Sequence, residues 1–401
     1  MKKSLLWLVV VMLSVMIVAV FTMVGCKEEG TTETTAAATT AAATTVAATT
    51  AAETAGVQTL DIGFYADAAD TYYQVMVDTF QACADADPEC DWTVNFKVGQ
   101  STAAEQLQAV EDFITTKYDA VVIIQNNPDT TSECIAKAKD AGIPYFGAAH
   151  SFVQVPNSKD AAGSCCFNFI TAGKYSGEEA VARGAKKIIM IEGVLGQGSA
   201  SAQTLGFLQA YEEAGISLGT TAKDLAENKT EAKLDGTQEV EVVGWASGGW
   251  FSDPAYKATT DYITSLGTDG FDGVYAQNDP MMEGVLMAIE DAGLTSSDYW
   301  LFACNGREIS WQWVKDKVIT QDVNQAASLE GDTLYQQIKA YFKGEEYRKY
   351  VHPYLTPYNI DNINDVSLVP FSDVDAYMAG KKAGDFVTDI NDPKWTDQAG
   401  Y

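Results

Sequence analysis

From Thr59 onward, short apolar runs alternate with amphipathic stretches. Leu60–Ala66, Trp92–Val98, Ala120–Gln125 and Pro144–Ala149 read as strands, with Thr71–Ala86, Ala103–Thr116 and Thr131–Ala141 as the helices between them. The Ala120 run is continuously apolar, and a strand apolar on both faces belongs in a parallel sheet covered by helices. Gly142-Ile143-Pro144 stops one helix and enters the next strand. The rhythm continues with strands expected at Cys165–Phe169, Lys187–Glu192, Val240–Trp245, Gly273–Asn278, Trp300–Asn305 and Ile319–Gln325. The helices expected among them are Ala172–Arg183, Ala200–Ala214, Pro254–Leu266, Met281–Ala292, Ile309–Lys317 and Ser328–Lys343. Asp224–Gly236 is a polar excursion, expected as a surface insertion. About ten strand–helix units exceed one ordinary open sheet, so the expected fold class is α/β, with two doubly wound parallel-sheet domains. In such sheets ligands bind beyond the carboxyl ends of the strands, and candidate chemistry is sought there.

The amino terminus changes the picture. Lys2 and Lys3 precede Leu5–Gly25, which carries no charge and runs into Cys26. A basic start, an apolar run and a small residue before a cut site make residues 1–25 a secretory signal. An uncleaved helical anchor is the alternative, since about 20 apolar residues span a bilayer. Either leaves the rest of the chain outside the cytoplasm, and the anchor also ties it to a membrane. Residues 26–56, nearly all Thr and Ala after position 30, lack large apolar side chains and read as a flexible spacer. From Val57 to Tyr401 the chain is long enough for two domains of ordinary size.

Charge and cysteine usage then narrow the function. The formal net charge of −29 argues against nucleic acid as a partner, because nucleic acids select basic surfaces. Cys83, Cys90, Cys134, Cys165, Cys166 and Cys304 lie in the body. Export permits disulfides, and a local Cys83–Cys90 bridge across Pro88 is one expectation, although spacing does not fix connectivity. With no Cys-x-x-Cys and only His150 and His352 as histidines, neither a metal nor another cofactor is expected. No Gly-x-Ser-x-Gly occurs, and Gly193-x-x-Gly196-x-Gly198 is neither the dinucleotide fingerprint nor a phosphate loop with its Lys. These absences argue against a triad hydrolase and a nucleotide-binding enzyme, while the abundant carboxylates leave a catalytic pair as the enzymatic alternative.

Four segments, in order, carry a resemblance: Gly193-Val194-Leu195-Gly196-Gln197-Gly198-Ser199-Ala200, Phe271-Asp272-Gly273-Val274-Tyr275-Ala276-Gln277-Asn278-Asp279, Leu301-Phe302-Ala303-Cys304-Asn305-Gly306 and Ile319-Thr320-Gln321-Asp322-Val323-Asn324-Gln325. Together they resemble the periplasmic sugar-binding proteins of ABC transporters, of the ribose- and galactose-binding type, over residues 58–358. Gly25-Cys26 resembles the bacterial lipoprotein signal, in which Cys26 becomes the lipid-modified first residue. The resemblance implies the type I periplasmic binding protein fold, with a three-strand hinge. One domain would hold 57–167 plus 326–355 and the other 168–325 plus 356–369, leaving 370–401 as an extension without a role. It implies a membrane-anchored extracytoplasmic lipoprotein that captures a small neutral solute, a sugar or sugar-like molecule, by hinge closure and hands it to the permease of an ABC importer. The alternatives are a sensor for a chemoreceptor or kinase, and a binder of a nucleoside, an amide or a furanosyl signal.

Sugar hydroxyls both donate and accept, which suits Asn, Asp and Gln, while sugar C–H faces stack on aromatic rings. After the first strand the resemblance places a polar contact and two stacking aromatics at Asp67, Asp70, Tyr72 and Tyr73; the other reading makes an Asp the cap of the next helix and one Tyr part of its core. His150, where the family often has Asp-Arg, is a ligand donor or a surface residue. Asn168 lies near the first crossover, with Phe167 in place of the family's Asp. Trp245 ends a strand whose counterpart offers an aromatic, with Trp250 and Phe251 nearby; packing is the alternative for all three. Asn278 is expected to bond hydroxyls, and Asp279 to bind or to cap a helix. Asn305 stands where the family has Asp, and Gln325 is the hinge contact. Where the family has an Arg, Ser201 or Gln203 is nearest. These losses of charge point to a neutral ligand, bound by the closed state.

Overall fold

A computed structural model describes residues 57–100, 102–124, 128–150, 155–229 and 232–397. The expected signal, spacer and Cys26 lie outside these residues. In chain order the first elements are β1 (Gln58–Ala66), α1 (Thr71–Asp85), β2 (Cys90–Val98), α2 (Ala103–Thr116), β3 (Ala120–Ile124), α3 (Pro128–Asp140), β4 (Tyr145–Ala148) and β5 (Gly163–Cys165). Then come α4 (Phe169–Arg183), β6 (Lys187–Glu192), α5 (Gly198–Glu213), α6 (Ala222–Asn228), β7 (Glu241–Ser247), α7 (Ser252–Leu266), β8 (Gly273–Ala276), α8 (Asp279–Asp291), β9 (Trp300–Phe302), α9 (Glu308–Lys315) and β10 (Gln321–Asn324). The last are α10 (Ala327–Lys343), β11 (Tyr350–His352), β12 (Thr356–Asn359), α11 (Val374–Ala383) and β13 (Thr396–Asp397).

The strands form two sheets, ordered β13-β11-β5-β4-β3-β1-β2 and β12-β10-β9-β8-β6-β7. Each contains the same doubly wound core, in which the first strand lies between the second and the third. The strand order therefore reverses beside β1 and beside β6, and a crevice opens at the carboxyl ends there. Pairing is parallel except at two edges, where β12 runs against β10 and β13 against β11. All five residues of β3 are buried, as a central strand covered on both faces requires.

Helix packing sets the cleft wall. α4 and α5 approach so closely that a Cβ at position 206 would lie 1.9 Å from the Ile170 carbonyl oxygen, so only glycine fits there. This contact fixes the α5 amino terminus, which carries Ser199 and Gln203, at the crevice beyond β6.

The chain passes between the sheets at β5–α4, at β10–α10 and at β11–β12. It then returns once more: α11 packs on the first lobe, where Tyr377 Oη donates to Asp332 Oδ2 of α10 at 2.6 Å, and β13 pairs with β11. The extension is thus part of the first lobe. Three other expectations change. The strand expected at Cys165–Phe169 stops at Cys165, because the Asn168 side chain accepts from Thr171 N–H and starts α4. The Asp224–Gly236 excursion begins inside α6, which buries Ala222, Leu225 and Ala226. The body's six cysteines are free; Cys83 is buried with its Sγ 3.8 Å from Met378 Sδ of α11 rather than bridged to Cys90.

Candidate ligand-binding cleft

Between the carboxyl ends of the two sheets lies a cavity of about 380 Å³, within the range of small-molecule sites. The first lobe lines it with Asp70, Tyr72 and Tyr73 from the start of α1 and with Ala149 and His150 after β4. The second lobe supplies Ser199 and Gln203 of α5, Trp250 and Phe251 before α7, Gln277 and Asn278 after β8, and Glu283 of α8. Asn305 and Arg307 after β9, Gln325 after β10, and Phe371 also line it.

On the first-lobe side the surface is aromatic. The Tyr72 and Tyr73 rings meet edge to face at 6.1 Å, and Phe371 lies 5.6 Å from Tyr72. Tyr72 Oη donates to buried Glu330 at 2.7 Å, and Tyr73 Oη lies 3.3 Å from His150 Nε2. Burial lifts both tyrosines well above their ordinary range and pushes His150 down to about 4, so all three are neutral at neutral pH. Asp70 caps α1 by accepting from Tyr72 N–H at 2.7 Å. Burial raises its pKa, and the Arg307 charge across the cavity draws it back.

Trp250 faces this wall. Its Nε1 donates to Gln197 at 2.7 Å, its carbonyl accepts from Asn278 Nδ2 at 3.1 Å, and its ring lies on Gly193, where a Cβ would come within 2.2 Å of Cζ2. Asn278 also caps α8, accepting from Met281 N–H at 2.9 Å. Each of its two polar atoms thus retains capacity for one more bond. Gln277 has less to offer: it accepts from Gly193 N–H and donates to Ala200 O and Thr204 Oγ1.

One buried polar group on the cavity is unsatisfied, and one amide on it is unengaged by the described residues. Ser199 Oγ is buried without a partner at the amino terminus of α5. The Asn305 side chain makes no hydrogen bond to any described residue, while its backbone sits at φ 109°. Non-glycine residues at positive φ mark the cavity: among the described residues, Ala149, Trp250 and Asn305 adopt it here, and Lys117, Lys229 and Lys317 follow helix ends. Strain held by its surroundings concentrates at binding sites.

The structure therefore brings together Asp70, Tyr72, Tyr73, His150, Asn278, Asn305 and Gln325 on one cavity. It places four other candidates elsewhere. Asp67 is buried behind the wall, and burial raises it to about 6. Asn168 is the α4 cap. Asp279 is buried and accepts from Arg307 N–H at 2.7 Å, holding the β9–α9 loop. Trp245 bonds buried Glu192 at 2.7 Å beneath Lys229, packed with the α5–α6 layer. Arg307 and Phe371 are lining residues that sequence reasoning missed. Arg307 stands directly after Asn305-Gly306 and restores a cation to the cleft, paired with Glu283 at 2.8 Å. Phe371 carried no signal, because it arrives from the extension. Among the described residues no group of three or more His, Cys, Asp or Glu is arranged to hold a metal ion.

Two doubly wound lobes around a cavity at their strand ends define a hinged solute-binding protein. The chain belongs to the periplasmic binding protein family, whose domain matches residues 62–346. Membership makes it an extracytoplasmic solute-binding protein, not an enzyme. It is 26% identical to a xylitol-binding protein of Mycolicibacterium smegmatis over 266 residues, 65% of this chain and 67% of the relative. Its fold is similar to that of a galactofuranose-binding protein, with a TM-score of 0.65, 19% identity and coverage of 82% of this chain and 100% of the other. A solute-binding protein of an ABC transporter from Bacillus halodurans, with bound myo-inositol, gives a TM-score of 0.63, 20% identity and coverage of 78% and 98%. Among the described residues no helix is long and apolar enough to cross a membrane.

Proposed function

We propose that the protein captures a small, neutral, polyhydroxylated solute, a sugar or a polyol, between its lobes for an ABC importer, while a lipid on Cys26 holds it at the membrane. The observation that carries this reading is the pairing of aromatic surfaces from both lobes, Tyr72 and Tyr73 against Trp250, with a buried, unsatisfied hydroxyl at Ser199 and the Asn305 amide on the same cavity. Rings suit C–H faces, and groups that donate and accept suit hydroxyls. The relatives that bind xylitol, galactofuranose and myo-inositol support the ligand class. Arg307 pairs with Glu283, so the lining suits a neutral guest. Ligand contact is assigned to Asp70, Tyr72, Tyr73, His150, Asn278, Asn305 and Gln325, with Trp250, Ser199 and Arg307 added.

The test is thermal-shift screening against xylitol, myo-inositol, pentoses, hexoses and nucleosides. A ligand bound only by the native state raises the melting temperature. A shift from a polyol or sugar is expected; shifts from nucleosides alone would overturn the ligand class. Trp250→Ala is expected to weaken the best ligand about tenfold, measured by titration calorimetry. Cys26→Ser should move the protein from the membrane fraction to the soluble fraction, and unchanged sedimentation would remove the lipid anchor from the proposal.

A further inference from the structure

The segment after β12 crosses the hinge within four residues and is bound at each step. Val369 and Asn324 of β10 lock together: Val369 N–H donates to Asn324 Oδ1 at 2.8 Å, and Asn324 Nδ2 donates to Val369 O at 3.1 Å. Pro370 O accepts from Ser328 Oγ, in the first turn of α10, at 2.6 Å. Phe371 N–H and Ser372 N–H donate to Glu308 Oε1 at 2.8 and 3.0 Å, and Ser372 Oγ donates to Glu308 Oε2 at 2.5 Å. Glu308 opens α9 in the second lobe, whereas α10 covers the first sheet. The segment is therefore fastened to both lobes in turn. Beyond it, Asp373 caps α11, Lys381 Nζ pairs with Asp332 at 2.7 Å, and Arg348 donates to the Trp395 carbonyl at 2.6 Å, all on the first lobe.

Phe371 occupies the middle of this crossing. It is buried against Val75, Ala327 and Tyr72, and its ring also lines the cavity. The residues concerned lie beyond position 346, where the family match ends.

We propose that residues 369–372 are a strap across the hinge, which restrains opening through Glu308 and delivers Phe371 as a specificity-determining wall of the ligand site. If the lobes part while α11 stays on the first, the three bonds to Glu308 are the ones that must break. A ligand that packs on Tyr72 also presses on Phe371, so occupancy and strap docking favour one another. The ligand half of this proposal rests on the capture reading above; the opening half does not.

Hydrogen exchange by mass spectrometry on the full chain, without ligand, tests the restraint. Glu308→Ala is expected to speed exchange not only at 371–372 but at the distant β5–α4 crossover, which flexes when the lobes separate. Ser372→Ala, which removes one bond of three, should do the same more weakly. Crossover exchange unchanged in both variants overturns the restraint. For the ligand half, the probes are xylitol and myo-inositol: Phe371→Ala should lower the affinity of whichever binds by about fivefold. Equal affinity in that variant refutes the wall. Failure of the unmodified chain to bind either probe counts against the capture reading, while exchange in the free protein still decides the strap.

Discussion

Glu330→Gln is expected to make the protein more stable than the parent, by a margin that grows with pH. Glu330 lies in the first turn of α10, fully buried, with the Tyr72 hydroxyl donating to one oxygen at 2.7 Å. Burial pushes its carboxyl up to about 8, against the pull of Tyr72 and of the Phe167 backbone. The titratable groups that lean on it are Tyr72, Tyr73, Cys165 and Cys166, all raised well above their ordinary values and thus neutral through this range. The sign follows from proton counting. Above the ordinary Glu value, the unfolded chain releases this proton while the folded chain keeps it, so stability falls as pH rises and levels off once the folded group ionises. Between pH 5 and pH 8 the loss is on the order of 3 kcal/mol. Glutamine keeps the acceptor for Tyr72 and does not titrate. The other raised carboxyls, Asp67, Asp70, Asp279 and Asp322, are common to both proteins and cancel in the difference. Melting curves of the two proteins from pH 5 to pH 8 check this; a constant gap in melting temperature would show that Glu330 ionises normally.

The position of Glu330 behind Tyr72 illustrates what sequence does and does not disclose. Elements with strong periodicity were legible: α2 and β6 occupy the spans that their apolar spacing predicts, because burial on one or both faces leaves few alternatives. The short strands β11, β12 and β13 were not, being two to four residues long and partly polar. In the cleft, Tyr72, Tyr73, Asn278, Asn305 and Gln325 were legible because the family resemblance marks them and strand ends of this topology converge. Trp245 misled, because side chains alternate along a strand and its own faces the helix layer that holds Lys229. The ring that reaches the cavity is Trp250, turned inward by a backbone at φ 72° that no periodicity announces. Phe371 depends on an extension folding back across the hinge, a long-range event with no local signature.

The largest effect in the cleft is expected at Asn278, where one amide holds both a helix and a ring. Its Oδ1 caps α8 through Met281 N–H, and its Nδ2 holds the Trp250 carbonyl. Asn278→Ala loses the cap and strands a carbonyl in a largely buried site, which together cost about 2–4 kcal/mol of stability. The variant should therefore melt several degrees lower and bind polyol or sugar more weakly, since Trp250 loses its tether as well as any direct bond from the amide. Asn278→Asp separates the two roles. A carboxylate still caps the helix, so much of the stability should return, but it cannot donate to the Trp250 carbonyl, so affinity should stay at least tenfold reduced, as the loss of one hydrogen bond in a desolvated site implies. Calorimetric titration beside melting curves reads both quantities. If the Asp variant recovers stability and affinity together, Asn278 serves the fold alone, and the ligand wall must be built from Ser199, Asn305 and the tyrosines without it.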